Sequence, residues 1–206
     1  TIIVNAQFDP QTCTATSAVL GSAGPSSVTA NFTNAPVLNV WFHRALADKF
    51  RTFDGNPGLA DINATFNSSL GSSGGVAGAP GCGFTFYLGL DNNHGTQTDL
   101  FAVVLHELGH GLGFSTSTSS STGAPASGLP HIWDTFLFDR TLNLTWVNMT
   151  DAQRQASAIN YGNLVWSGSQ ANTGGQSLLT PGVPEMVVSA PSNIAATYQA
   201  NAAGGG

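Results

Sequence analysis

The chain has 206 residues, enough for one domain or part of a larger one, and 41% of them are hydrophobic, which suffices for a buried core. Only 8% are charged, against about 25% in ordinary soluble domains. The formal net charge is -6 and the five basic residues form no cluster, which argues against nucleic acid or an anionic membrane as partner. No apolar run reaches the roughly 18 residues of a membrane span.

The cysteine and sequon content is typical of a secreted protein. Two cysteines, Cys13 and Cys82, in a weakly charged, lysine-poor chain predict one disulfide formed in an oxidising compartment, with two buried free thiols as the alternative. Asn-x-Ser/Thr sequons are candidate glycan sites, although a chain rich in Asn, Ser and Thr produces some by chance. They begin at Asn31, Asn63, Asn67, Asn143 and Asn148. We therefore expect a secreted, extracellular glycoprotein.

The first ninety residues predict strands and one helix. TIIVNAQF predicts a strand at the first residue, so we expect part of the domain to lie upstream; the missing initiator Met and signal peptide indicate a processed or trimmed chain. Helical spacing of apolar residues predicts a helix from Asn39 to Phe50, with Asn39 as its cap. ADINATFNSSL predicts a strand and turn, and apolar alternation predicts a half-buried strand from Gly81 to Asp91.

The middle of the chain predicts a helix followed by a long loop. The helix should run from about Thr98 to Gly111, with Thr98 as its cap and Asp99 near the positive end of the helix dipole. Residues Ser115 to Pro130 are almost all Ser, Thr, Gly, Ala and Pro, which predicts a long mobile loop.

The last third predicts one helix and one strand. Thr150 and Gln153 form a capping box that opens a short helix in TDAQRQASAINYG, and Gly162 is suited to end it. PEMVVSAPS predicts a late strand, whereas HIWDTFLFDR is apolar without a decisive period.

The segment HELGH indicates the chemistry of the chain. Residues four apart lie on one face of a helix, so His106 and His110 can bind one Zn²⁺ through their imidazoles at about 2.0–2.1 Å. Glu107 is one step further on, and its carboxylate can reach a water in the open coordination position. HExxH also occurs by chance in helices without metal. The apolar run before the motif and the small residues after it, Gly111 and Gly113, favour a zinc site on a helix that ends just past His110.

The segment HELGHGLGF resembles the metzincin zinc proteases, whose pattern continues as HExxHxxGxxH. His106, Glu107, His110 and Gly113 match this pattern, but its third histidine would fall at Thr116. The leishmanolysin-like group is more similar, because its third histidine lies far downstream, beyond an insertion, and is followed by a Met-containing turn.

Other segments resemble large secreted, mainly bacterial proteins in which a protease-associated domain is inserted into a metzincin-like catalytic domain. The resemblance covers most of residues 2 to 190 and rests on INAQFDPQTCTATSAVLGSAG, DINATFNSS, FYLGLDNN and MTDAQRQASAINYGNLVWSG. It implies an α+β fold with a mixed sheet, a zinc-binding active-site helix and long loops. Residues 1–190 would form a catalytic domain incomplete at both ends, and residues 191–206 a tail or the start of a linker to a further domain of the same polypeptide.

The resemblance also implies that an extended substrate pairs with an edge strand above the zinc helix, a role that Phe84 to Leu90 would fill. An ordinary core strand is the alternative for this segment.

The third zinc ligand stays open. The candidates within the chain are His131 and Asp134, then Asp139, His94 and His43. His131 follows the predicted loop and would have to swing to the metal, whereas a lone histidine is more often a surface or hydrogen-bonded residue. We expect a solvated His43 and a structural His94. The resemblance implies instead a histidine beyond the inserted domain, outside this chain.

We therefore expect a secreted zinc endopeptidase acting on protein or peptide substrates. Zn²⁺ would activate a water, and Glu107 would take its proton and pass it to the leaving amine. The alternative is a catalytically inactive structural or adhesive module that keeps the protease scaffold. A carbohydrate-binding module has weaker support, because its candidate stacking residues are better explained as core: Trp41, Trp133, Trp146 and Trp166.

Overall fold

The computed structural model describes residues 1–175, 187–189 and 197–199. Over these residues the chain is α+β, with mixed and small sheets and four α-helices. The helices are α1 (Arg44–Arg51), α2 (Leu100–Leu112), α3 (Asp151–Ser157) and α4 (Ser169–Gly175). The strands are β1 (Val4–Asp9), β2 (Gly21–Pro25), β3 (Val28–Thr29), β4 (Phe42–His43), β5 (Ile62–Asn67), β6 (Gly71–Ser72), β7 (Thr85–Tyr87), β8 (Thr98–Asp99), β9 (Leu137–Asp139), β10 (Leu144–Thr145), β11 (Leu164–Trp166), β12 (Val187–Ser189) and β13 (Thr197–Gln199).

The chain divides into two units, each with its own β-strands and buried side chains. The first unit comprises Thr1–Ala35 and His43–Gly113, and the second comprises Pro36–Phe42 and Phe114–Gly206. The HELGH segment belongs to the first unit.

The main sheet of the first unit has the order β1-β5-β2. The central strand β5 is parallel to β1 and antiparallel to β2. The side chains of Ile62, Ala64 and Phe66 alternate along β5 and are buried. Helix α2 packs on β2 and β5. The strand predicted in ADINATFNSSL is confirmed. The strand predicted in TIIVNAQF is present, but it begins at Val4 rather than at the first residue and extends to Asp9.

The second sheet of the first unit is parallel, with the order β6-β7-β8. Strand β7 covers only Thr85–Tyr87, so the strand predicted from Gly81 to Asp91 was too long. The prediction of an edge strand is wrong as well, because β7 pairs with β6 on one side and β8 on the other. The Leu88 backbone N–H donates to Ser73 Oγ, so this N–H is not free to pair with a substrate.

Helix α1 begins at Arg44 rather than Asn39. Asn39 has a φ of 60°, in the left-handed region, and cannot open a helix in that conformation. The next residues are extended: the Trp41 N–H donates to the Pro130 carbonyl, and Phe42 and His43 form β4. Long-range backbone pairing therefore overrides the helical spacing at the start of this segment.

The sheet of the second unit has the order β10-β9-β11-β12-β13, and its strands are antiparallel. Three tryptophans lie in the core beside it: Trp133, Trp146 and Trp166 are 2%, 1% and 8% exposed. This burial removes them as sugar-stacking surfaces and confirms that they belong to the core. Trp41 is half-buried.

The predicted capping box of α3 is confirmed: the Thr150 hydroxyl accepts from the Gln153 N–H, and the Gln153 side chain accepts from the Thr150 N–H. The helix ends at Ser157, ahead of Gly162. Strand β12 confirms the strand predicted in PEMVVSAPS over residues 187–189; the rest of that segment lies outside the described residues. Strand β13 lies within the predicted tail and pairs with β12.

The Ser/Thr-rich loop is anchored to α3. Its turn is closed by hydrogen bonds between the backbones of Ser119 and Ala124 and from Gly123 to Ser119. The buried Arg154 donates from Nε to the Gly123 carbonyl at 2.7 Å. A Cβ atom at Gly123 would overlap the Asp151 carbonyl, so the approach of loop and helix depends on glycine.

The predicted disulfide between Cys13 and Cys82 is confirmed, with Cα atoms 5.1 Å apart. One sequon of the same unit is inaccessible in the folded chain, because Asn67 is fully buried and its amide bonds four backbone groups: the N–H of Gln11 and Ser69 and the carbonyls of Thr12 and Val19. Asn31, Asn63, Asn143 and Asn148 are exposed. In the described part of the chain no helix has the length and apolar character to cross a membrane.

Candidate metal site on helix α2

Helix α2 is defined at both ends by identifiable residues. Asp99, rather than the predicted Thr98, is the N-cap: its Oδ1 accepts from the Phe101 N–H at 2.9 Å. Thr98 instead belongs to β8, paired with β7. At the other end Gly113 has a φ of 120°, and its N–H donates to the carbonyls of Gly109 and His110. The helix therefore ends just after His110, as the glycines predicted.

The two histidines of HELGH are brought together on α2. Their Nε2 atoms lie 3.1 Å apart, with ring planes at 86° to one another. Two nitrogens bound to one tetrahedral Zn²⁺ at about 2.0–2.1 Å would be about 3.3–3.4 Å apart. A small adjustment of either side chain thus gives a separation suited to one metal ion, and two imidazoles are donors that zinc prefers.

Glu107 lies on the turn between the histidines and is 8% exposed. Its Cγ would be 3.5 Å from a Cβ atom built on Gly21 of β2, so the side chain lies close to that strand. The same Cβ atom would be 3.0 Å from Phe66 Cδ1 and from the Thr65 carbonyl. Glycine at position 21 therefore leaves room beside Glu107, a feature that the local sequence does not signal.

Strand β2 is an edge strand of the sheet β1-β5-β2 in the described part of the first unit, and its Gly21 lies close to Glu107. Leu20 accepts from the Asn67 N–H and Ser26 donates to the Asp61 carbonyl, which sets the pairing of β2 with β5. Backbone groups alternate in direction along an antiparallel strand, so those of Ser22 and Gly24 point toward β5 and those of Gly21 and Ala23 point toward the open edge.

His43 is not solvated, contrary to expectation. Its side chain is 1% exposed and its Nδ1 lies 3.3 Å from the Gly111 carbonyl oxygen, at the end of α2. Burial is the main cause of a lowered pKa for His43, supported by the nearby His110 and opposed by hydrogen bonds to the backbone of Gly111 and His110. Sequence reasoning missed this contact because it joins residues 68 positions apart.

His94 has the structural role expected of it. Its Nδ1 lies 3.1 Å from the Gln97 carbonyl oxygen, within the turn that precedes β8. In the part of the chain described, neither His94 nor His43 forms a group of three ligand atoms with the His106/His110 pair.

His131 and Asp134 lie in the second unit and are both buried. The Asp134 carboxylate accepts from the His131 N–H at 2.9 Å and from the Thr118 hydroxyl at 3.3 Å, which ties the Ser/Thr-rich loop to this turn. Burial raises the pKa of Asp134 to about 6, although hydrogen bonds from Thr116, His131 and Thr118 oppose the shift.

Asp139 is also buried in the second unit. Its carboxylate accepts from Ser157 Oγ at 2.6 Å, from Asn160 Nδ2 and from the backbone N–H groups of Thr141 and Leu142. Burial alone would raise the pKa of Asp139, but these hydrogen bonds hold it below its ordinary value. The carboxylate thus organises the turn after β9.

Among the described residues, one group of three side chains places its ligand atoms within 4.8 Å of one another: Asp48, Asp54 and Asp61. They line a cleft of about 470 Å³ in the first unit, beside Lys49. Arg44 and Arg51 lie 3.8 and 3.3 Å from Asp48 Oδ1, and Asp61 accepts from the Ile3 N–H. Because the carboxylates of Asp48 and Asp61 each have a structural partner, we assign no cation to this group.

No family model, curated protein or solved structure matches this chain. The functional assignment therefore depends on the local geometry of α2 and its neighbours.

Proposed function

We propose that this chain is part of a secreted, leishmanolysin-like metzincin zinc endopeptidase. The observation that carries the proposal is the 3.1 Å separation of His106 Nε2 and His110 Nε2 on a helix that ends directly after them. Glu107 between them supplies a carboxylate that can accept a proton. The disulfide between Cys13 and Cys82 supports an oxidising, extracellular compartment.

In the proposed mechanism His106 and His110 would hold the metal. Bound Zn²⁺ would polarise the scissile carbonyl and lower the pKa of a water molecule. The carboxylate of Glu107 would act as the general base, accepting a proton from the attacking water and later passing it to the leaving amine. Burial limits the positions that the Glu107 side chain can take, which favours a fixed distance to the reacting water.

The substrate is proposed to be an extended peptide bound along the open edge of β2. Gly21 and Ala23 direct their N–H and carbonyl groups toward this edge, and Gly21 adjoins Glu107. Backbone pairing at a sheet edge holds peptides without requiring a particular sequence. This assignment replaces the segment Phe84 to Leu90, whose strand has neighbours on both sides.

A catalytic zinc normally has three protein ligands and a water. The third ligand in the proposed enzyme is a histidine outside this chain, as the leishmanolysin-like resemblance implies. Residues 1–206 alone should therefore bind zinc weakly and show little peptidase activity, whereas the full polypeptide should do both.

The alternative is a catalytically inactive extracellular module that keeps the zinc helix as a scaffold. The two functions differ in what the full polypeptide does with a peptide bond when zinc is bound. An inactive module would bind zinc, or lack it, without zinc-dependent hydrolysis.

The experiment compares Glu107→Gln with His110→Ala in the full polypeptide, using a fluorescent casein substrate and zinc analysis of the purified protein. Glu107→Gln should retain zinc and lose hydrolysis, because its amide keeps the shape of the carboxylate but cannot take a proton. His110→Ala should lose both. Zinc loss in Glu107→Gln would contradict the role of Glu107, and wild-type protein without zinc-dependent hydrolysis would favour the inactive module.

The edge of β2 is tested separately by Ala23→Pro, which removes an outward N–H. It should raise KM while leaving zinc content unchanged. Ser22→Pro is the matched control, because its N–H points into the sheet and its loss should lower stability. An unchanged KM in a folded Ala23→Pro variant would exclude this edge as the substrate site.

A further inference from the structure

The last turn of α2 satisfies its backbone carbonyls in two different ways. The Gly113 N–H serves the carbonyls of Gly109 and His110, as at many helix ends. The Gly111 carbonyl is instead approached by a side chain from outside the helix, with His43 Nδ1 at 3.3 Å. A carbonyl at a helix end needs such a donor when water cannot reach it.

The chemistry of this contact fixes the protonation of His43. A carbonyl oxygen accepts hydrogen bonds and cannot donate them, so Nδ1 must carry the proton. His43 is 1% exposed and Gly111 is buried, so water is a poor substitute for the imidazole at this place. Loss of the donor would leave a buried carbonyl unsatisfied, which is costly in a folded protein.

The contact lies one residue from His110. Gly111 is fixed on one side by Ile62 of β5, since a Cβ atom at Gly111 would lie 2.5 Å from Ile62 Cγ2. His43, at the start of α1, fixes its carbonyl. With Gly111 held from two elements, the turn that carries His110 has little freedom to rotate relative to the turn of His106.

We propose that His43 is a positioning residue for the His106/His110 pair, acting through a hydrogen bond from Nδ1 to the Gly111 carbonyl without being a metal ligand. The contact between His43 and Gly111 is independent of the proposed zinc function, whereas its effect on zinc affinity rests on that function. Groups that orient metal ligands typically change metal affinity by about 10- to 100-fold when they are removed.

Three variants separate the hydrogen bond from the packing. His43→Asn keeps an N–H close to the position of Nδ1. His43→Leu has nearly the same shape as the Asn variant but no donor. His43→Gln places its amide further out, where it should miss the Gly111 carbonyl, and serves as the second donor-deficient variant if His43→Leu does not fold.

Two measurements are made on the full polypeptide. Long-range ¹H–¹⁵N spectra of the wild type report which ring nitrogen of His43 carries the proton. A hydrogen bond to the Gly111 carbonyl requires the proton to be on Nδ1. Titration with ZnCl₂, followed through the ring signals of His106 and His110, gives the zinc Kd. His43→Leu should raise the Kd by about tenfold or more, whereas His43→Asn should stay close to the wild type.

Each outcome decides a separate point. A wild-type His43 protonated on Nε2 alone, or equal zinc Kd values in the wild type and His43→Leu, would overturn the positioning role while leaving the zinc function intact. If the wild type binds no zinc but the His110 ring signals move in His43→Leu and not in His43→Asn, the positioning contact stands and the zinc function fails. Equal losses in folded Asn and Leu variants would overturn the role of the donor.

Discussion

A Cβ atom at Gly111 of α2 would lie 2.5 Å from Cγ2 of Ile62 in β5, far inside the usual contact distance of about 3.5–4.0 Å between carbon atoms. Ile62 is 1% exposed and its Cγ1 and Cδ1 atoms would also lie 2.8 Å away, so it has little room to move away. The absence of a side chain at Gly111 thus sets how closely the helix with HELGH approaches the sheet.

The first prediction follows from this contact. Gly111→Ala should lower the free energy of unfolding by about 1–2 kcal/mol, because the overlap with Ile62 destabilises the fold by more than the higher helix propensity of Ala stabilises it. Gly109→Ala is the matched control: it lies in the same helix, and a Cβ atom there meets nothing within 4 Å. The control should raise stability by up to about 1 kcal/mol.

Urea unfolding followed by far-UV circular dichroism tests this pair. Circular dichroism follows α2 itself, whereas all four tryptophans belong to the second unit. Equal stabilisation by both substitutions would contradict the close packing of Gly111 on Ile62.

The second prediction concerns the buried carboxylate of Asp134. Its pKa is raised from 3.8 to about 6 in the folded chain, so the folded state holds a proton that the unfolded chain releases between these values. The contribution of Asp134 to stability is therefore greatest below pH 3.8 and is lost as pH rises through 6. The loss amounts to about 3 kcal/mol at 1.36 kcal/mol per pKa unit.

Asp134→Asn removes this titration. The difference in unfolding free energy between the variant and the wild type should shift by about 2.4 kcal/mol in favour of the variant between pH 4 and pH 7, because part of the loss already occurs below pH 4. Tryptophan fluorescence during urea unfolding is suitable, because Trp133, Trp146 and Trp166 lie in the same unit. The comparison cancels other titrating groups, including Asp139. A difference that stays constant with pH would refute the raised pKa.

The third prediction concerns the disulfide. It closes a loop between positions 69 residues apart, and the chain-entropy model gives such a bridge about 4 kcal/mol of stabilisation. Replacing both Cys13 and Cys82 by Ser should lower the thermal midpoint, as should reduction of the wild type. Mass spectrometry of peptides under non-reducing conditions should show the pair linked. Two free thiols in protein purified under oxidising conditions would contradict it.

The fourth prediction concerns the third ligand. His131→Ala and Asp134→Ala should leave the zinc affinity of the full polypeptide nearly unchanged, since the proposed third histidine lies outside this chain. His110→Ala should abolish tight binding, because it removes one of the two ligands on α2. A loss of zinc in His131→Ala as large as that in His110→Ala would place the third ligand within residues 1–206.

The sequence predicted well those features that depend on near neighbours. The position and end of α2 follow from apolar residues before HELGH and from Gly113, and the capping box of α3 follows from Thr150 and Gln153. The His106/His110 geometry follows from the helical repeat alone. These features need no knowledge of what packs against them.

Features that depend on distant residues were predicted poorly. Asn39 did not cap α1, because the following residues are extended and Trp41 bonds Pro130. Thr98 did not cap α2, because it pairs with β7. His43 was expected in solvent, but it packs against the end of α2. In each case a contact between segments far apart in the chain overrode the local preference.

The most direct test of the proposed zinc site is a crystal structure of the full polypeptide with anomalous data collected at the zinc edge. We predict one strong peak within about 2.0–2.1 Å of both His106 Nε2 and His110 Nε2, with Glu107 uncoordinated and a third histidine from outside this chain. A zinc peak at Asp48, Asp54 and Asp61 with none at α2, or no zinc in protein that hydrolyses peptides, would contradict the account.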